Sequence, residues 1–155
     1  MKKILVPSLL ALALGSVSGL AQAQTAAPES TLSFNAGVVS DYRYRGISQS
    51  RLKPAVQGGF DYADKSGFYV GAWGSSIKWI KDAGGKSNTE VDYYGGYKFT
   101  VGEVGYDIGF LHYDYSGNAL KPSANTNELY GAITMGPATL KYSQSTGNLF
   151  GFANS

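Results

Sequence analysis

From Leu32 onward apolar and polar residues alternate with period two, and no stretch carries a helical stripe. Leu32, Phe34, Ala36, Val38, Tyr42 and Tyr44 share one face of a first strand, opposite Ser33, Asn35, Asp41, Arg43 and Arg45. A second strand sets Val56, Phe60 and Tyr62 against Gln57, Gly59 and Asp61. In the third, residues 67–79, Phe68, Val70 and Ala72 compete with Tyr69, Trp73 and Ile77, so its facing stays open. The fourth opposes Thr89, Val91, Tyr93, Tyr97 and Phe99 to Glu90, Asp92, Tyr94 and Lys98. The fifth opposes Val104, Tyr106, Ile108 and Phe110 to Gly105, Asp107 and Gly109. Leu129, Ile133 and Met135 then face away from Glu128, Tyr130 and Thr134, and Ala138, Leu140 and Tyr142 away from Thr139, Lys141 and Ser143.

The connections between these seven strands alternate in length. Residues 46–54, 81–87 and 116–126 are long; residues 64–66, 101–103 and 136–137 are tight. Short turns at one end and long loops at the other predict an all-β, antiparallel up-and-down transmembrane β-barrel. Several runs reach the ~10 residues that a tilted strand needs to cross hydrocarbon. Backbone groups in a bilayer must all be paired, so an exported strand-rich chain with an apolar face is expected to close on itself. Tyr42, Tyr44, Tyr62, Trp79, Tyr113 and Tyr115 near strand ends suit a headgroup-level aromatic girdle. A soluble periplasmic β-barrel or sandwich is the competing architecture, since 12 tyrosines and 21 glycines serve either.

The first residues read as an address. Met1-Lys2-Lys3 is basic, Ile4 to Leu14 is apolar, and Ala21-Gln22-Ala23 is a small-x-small cleavage site, so residues 1–23 are expected to be a signal peptide. The apolar run is too short for a spanning helix of ~20 residues, which argues against an uncleaved anchor. Residues 24–31 are then a periplasmic tail, and residues 32–155 the barrel. Thirteen Lys and Arg fall to eleven once Lys2 and Lys3 leave, against eleven acids. That neutral balance disfavours a nucleic-acid partner. The absence of cysteine excludes disulfides and thiolate chemistry, and a single histidine, His112, excludes a histidine-rich metal site. No cofactor is expected.

One block carries a resemblance. Phe34-Asn35-Ala36-Gly37-Val38-Val39-Ser40-Asp41-Tyr42-Arg43-Tyr44-Arg45-Gly46-Ile47-Ser48-Gln49-Ser50 resembles the opening of the TorF-family porins, proteobacterial outer-membrane proteins of poorly defined function. The pieces 54–62, 67–75 and 90–97 are similar to that family too, and the resemblance covers most of residues 32–145. It implies a passive outer-membrane barrel and supplies no catalytic residues. Family members run longer than this chain. Seven strands is an odd count where bacterial single-chain barrels have even ones, and residues 150–155 lack a terminal aromatic on an alternating strand. The expectation is an N-terminal portion of a barrel with unpaired edges at residues 32–44 and 138–144.

Charged residues fall mainly opposite the apolar face. Asp41, Arg43, Arg45, Asp61, Glu90, Asp92, Lys98, Asp107, Glu128 and Lys141 are the candidate pore-lining set, tuning the field of a hydrated lumen. The alternative is an interior plugged by mutually satisfied ion pairs. Arg43, Arg45, Arg51 and Lys53 lie within eleven residues and could steer anions or hold lipopolysaccharide phosphates, or be solvated loop charges. His112, Asp114 and Ser116 alternate along one strand face, but steps of ~7 Å are too long for a relay. With no nucleophile elbow and no cleft of paired carboxylates, an enzyme is not expected.

The functional expectation is therefore an outer-membrane, porin-like channel for passive diffusion of small polar or ionic solutes. A non-conducting barrel with a structural or surface role is the alternative, and a soluble periplasmic binding barrel a third. Expected partners are outer-membrane lipids, lipopolysaccharide and small polar solutes, with oligomerisation open.

Overall fold

The computed structural model describes residues 29–154. The expected signal peptide, and residues 24–28 of the expected tail, lie outside the described residues. The chain is all-β, and its main feature is a seven-stranded antiparallel sheet. In spatial order the strands are β1 (Ser30–Val39), β4 (Ala55–Asp64), β5 (Phe68–Ser76), β6 (Thr89–Val101), β7 (Val104–Asp114), β8 (Thr126–Met135) and β9 (Ala138–Ser145). Each pairs only with its neighbours in the chain, so the connections are all hairpins.

Tight turns join β4 to β5, β6 to β7 and β8 to β9 at one end. In the first of them, Asp64 Oδ1 accepts from the Ser66 N–H at 2.8 Å, and the Gly67 N–H reaches the Asp64 carbonyl at 3.0 Å. The long connections gather at the other end. The first holds a small hairpin, β2 (Arg43–Tyr44) with β3 (Ile47–Ser48), and the second a single helical turn, α1 (Trp79–Asp82). Beyond β9 lies another small hairpin, β10 (Asn148–Leu149) with β11 (Phe152–Asn154).

The sheet is not closed: β1 and β9 are its edges. Both edges fall where the sequence led us to expect them, except that the first stops at Val39 and does not run on to Tyr44. Period two does not survive the bend at Ser40-Asp41. The Gln49 N–H bonds the Tyr42 carbonyl at 2.7 Å, and Arg45-Gly46, with φ of 47° and 85°, turns the chain back on itself. Tyr42 and Tyr44 therefore leave the apolar face to which alternation assigned them.

Burial is inverted relative to a water-soluble sheet. The apolar face is the open one, with Phe34, Leu140 and Ile108 exposed at 76%, 75% and 62%. On the sheltered face Glu90 and Glu128 are exposed at only 2% and 3%. Register settles the facing of β5. Phe60 opposes Ala72 and Tyr62 opposes Val70, so Phe68, Val70 and Ala72 look outward while Tyr69, Trp73 and Ser75 look inward.

The small core sits on the sheltered side at the loop end. Ile77, Ile80, Tyr113, Tyr115 and Ala124 are buried there, with Tyr42, Tyr44, Trp79, Leu111, Leu120 and Phe150 packed around them. This corrects the expected girdle: Tyr42, Tyr44, Trp79, Tyr113 and Tyr115 belong to this core, because their loops fold inward. Tyr62 alone of the six lies on the outward face, opposite Leu32 and Val70. Tyr97, Phe99 and Tyr106 form a stack near the short turns, with Phe99 and Tyr106 centroids 5.0 Å apart.

Lower on the sheltered face, one register row reads Tyr69, Gly96, Gly109, Tyr130 across β5 to β8. The two tyrosines lean toward each other over the glycines until their hydroxyls touch. Tyr69 also donates to Asp107 at 2.6 Å. The glycines make the row possible, because a Cβ at 96 or 109 would collide with the ring that lies over it.

Candidate functional site

Two polar tiers occupy the sheltered face. The lower tier is the Tyr69–Tyr130 row with Asp61, Lys98, Asp107 and Lys141 around it. Tyr94 donates to Asp61 at 2.5 Å, the Lys98 ammonium lies 4.7 Å from the Tyr69 ring centre, and that of Lys141 lies 3.9 Å from the Tyr130 ring centre. These rings hold the two lysines in place, with no ion pair to a carboxylate among the described residues.

The upper tier lies under the long loops. Glu90 and Asp92 enter from β6 and Glu128 from β8. Three carboxylates this buried need donors. Tyr42 donates to Glu90 Oε1 at 2.5 Å, and Tyr115 sits against the same carboxylate. Tyr113 reaches Glu128 Oε2 at 3.5 Å and shares a 3.0 Å hydrogen bond with Tyr44. Arg45 Nη2 stands 3.5 Å from Glu128 Oε1, so the hairpin after the first strand of the sheet crosses to the sixth. Asp92 Oδ1 is buried with no hydrogen-bond partner among the described residues. Burial, reinforced by the Glu90 charge, holds the phenols of Tyr42 and Tyr115 well above the usual tyrosine range, so both remain proton donors.

Of the ten expected pore-lining residues, the register places Asp61, Glu90, Asp92, Lys98, Asp107, Glu128 and Lys141 together on the sheltered face. Arg45 joins them from above. Asp41 and Arg43 do not. They pair with each other at 2.7 Å in the loop, where the Asp41 carboxylate also accepts from Ser48 at 2.5 Å and Ser50 at 3.1 Å. Arg51 pairs with Asp82 beside α1. At the upper end of the outward face, His112 bonds Asn127 at 2.6 Å, while Ser116 donates to Asp114, which accepts from Asn125 at 2.7 Å. Asp114 and Ser116, expected from their spacing to stand too far apart for a relay, thus meet directly because the chain bends after Asp114, while His112 is bonded elsewhere.

The Ser48 hydroxyl, with Ser50 and Arg43 behind it, holds the Asp41 carboxyl below its ordinary value. A depressed carboxylate stabilises the folded hairpin at neutral pH, and that contribution is lost as pH falls through the folded-state value. A carboxyl-carbon NMR titration should find the Asp41 midpoint below the usual carboxylate range, moving upward in Ser48→Ala. A midpoint unmoved by Ser48→Ala would remove the hydroxyl as the cause.

Alternation could not reveal the loop-end aromatics as a unit, because their contacts join four separate loops. The signals available were turn formers. Asn118 Oδ1 accepts from the Leu120 N–H at 2.9 Å and its backbone carbonyl from Lys86 at 2.8 Å. Gln49 O accepts from Lys78 and Trp79 at 2.8 and 3.2 Å.

A family sequence model matches residues 22–155, a span that takes in every residue the structure describes. The chain belongs to the Gcw_chp family, bacterial proteins of unknown function. No curated protein and no solved structure matches it. Membership in Gcw_chp carries no assigned activity, so the two polar tiers have to be interpreted from their own chemistry, and the TorF-like opening block bears only on a proposal. The Gcw_chp match also spans both the sheet and the loop-end core, so the two belong to one family unit.

Proposed function

We propose that the chain builds the wall of an outer-membrane β-barrel through which small polar or ionic solutes diffuse passively, reaching that membrane by way of a cleaved signal peptide. The observation that carries this reading is the inverted burial, with apolar side chains outward on all seven strands and carboxylates, lysines and tyrosines inward. Monomeric soluble proteins rarely expose a contiguous apolar patch beyond a few hundred Å². Lipid is the solvent that such a face fits, and a polar interior is the usual complement. Strands of 8 to 13 residues suit the thickness to be crossed, and the resemblance of residues 34–50 to TorF-family porins points the same way.

Two features favour a second reading, a non-conducting barrel with a structural or surface role. The Tyr69–Asp107–Tyr130 cross-link spans the lower tier, and Arg45 reaches across the upper one. Conductance separates the two. Membrane-extracted protein in planar bilayers should give ohmic single-channel steps, and Arg45→Gln should shift ion preference toward cations, by removing the cation that faces Glu128. Folded protein that gives no steps would leave the structural reading, and recovery in the soluble periplasmic fraction would sink both.

A further inference from the structure

Where the long loops converge, they enclose an open-mouthed cavity of about 570 Å³. Its walls come from the β1–β4 connection, the α1 turn, the β7–β8 loop and the segment after β9, and are dominated by aromatic and aliphatic side chains. Trp79 and Tyr115 meet edge to face with centroids 5.1 Å apart, and Phe150 stands 6.4 Å from Tyr115 and 5.7 Å from Tyr44. Such a frame takes another flat ring readily, because edge-to-face contacts are favourable at these separations.

The charge on the cavity wall is of one sign. Arg45 and Lys121 line it, and no Asp or Glu does. Arg45 is shared with Glu128 and the Tyr44 ring, whereas Lys121 has no ion-pair partner among the described residues. Beside these two cations the wall is mostly apolar. An apolar pocket with a few convergent donors is the form of a small-molecule site, and this volume falls within the ~300–1,000 Å³ such sites occupy.

We propose that this cavity binds a small aromatic carboxylate, its ring against Trp79, Tyr115 and Phe150 and its anionic group met by Lys121, with Arg45 adding to the positive field. The one-signed charge complementarity selects an anion over a neutral or cationic ring, a neutral sugar included, and the apolar aromatic walls favour a flat ring over a bare phosphate. The site stands on the outer loops alone, so it holds whether or not the interior conducts.

The probe is 1-naphthoate, titrated by calorimetry into the full chain in uncharged detergent, with protein-free micelles as blank. Saturable binding is expected, at least ~10-fold tighter than for 1-naphthalenemethanol, the neutral analogue, since a factor of ten is only about 1.4 kcal/mol of charge interaction. Lys121→Glu, an exposed position, should weaken naphthoate ~10-fold or more and leave the alcohol unchanged. Ala83→Trp, also exposed and on the cavity wall, should abolish binding of both by filling the space. Equal affinity for acid and alcohol, or binding indifferent to Ala83→Trp, would overturn the proposal. So would an absence of saturable binding together with an oligomer that Ala83→Trp splits, which would assign the cavity to a second copy of the chain.

Discussion

Ile108→Arg should prevent stable membrane assembly, while Val101→Arg should be tolerated. The two side chains are equally open, at 62% and 61%, and both lie on the outward face. They differ in depth. Ile108 sits near the middle of the eleven-residue β7, whereas Val101 is the last residue of β6, beside the short turn. On a lipid-facing wall, arginine costs about 2–4 kcal/mol at the bilayer midplane and about 0–1 near the interface. On a wall facing water, both would be ordinary surface substitutions, within about 0.5 kcal/mol of neutral. Urea unfolding from phospholipid vesicles, with each variant beside the parent, measures the difference directly. Equal and small effects would remove lipid as the solvent of this face.

The second large effect concerns the sheltered face. Gly109→Val should destabilise the sheet by about 3 kcal/mol, the upper end of what overpacking usually costs. A Cβ at position 109 would collide with the Tyr130 ring and come within 2.9 Å of the Gly95 carbonyl oxygen. The ring cannot simply swing away, because its hydroxyl meets Tyr69 and Lys141 caps it at 3.9 Å. Tyr130→Ala should therefore recover part of the loss when combined with Gly109→Val, although Tyr130→Ala alone is destabilising. The double-mutant cycle should show a coupling of at least about 1 kcal/mol, as residues in contact do. Additive losses would mean that the ring does not lie over position 109.

Much of the sheet could be read from the alternation. The facing of β6, β7, β8 and β9 follows from it without error, because one face of each is plainly apolar and the other carries Glu90, Asp107, Glu128 or Lys141. The same rule left β5 undecided, since Tyr69 and Trp73 are as apolar in composition as Phe68 and Val70. What distinguishes them is the register across strands, which sets Tyr69 in one row with Gly96 and Trp73 opposite Asp92, and that pairing is invisible within one strand. Beyond Val39 the rule misassigned Tyr42 and Tyr44, since a two-residue hairpin resets the phase. The upper tier was half legible. Its carboxylates were recognised from their face, but the donors that satisfy them come from loops whose mutual packing has no periodic signature.

Rows that lean on glycine also bear on how such a chain changes through descent. Any side chain larger than hydrogen at position 109 displaces its neighbour's ring, and any smaller residue at 130 opens a void above position 109. Neither site can drift alone at low cost. The two are therefore expected to change together, though twenty-one positions apart in the gene, and the same constraint ties 96 to 69.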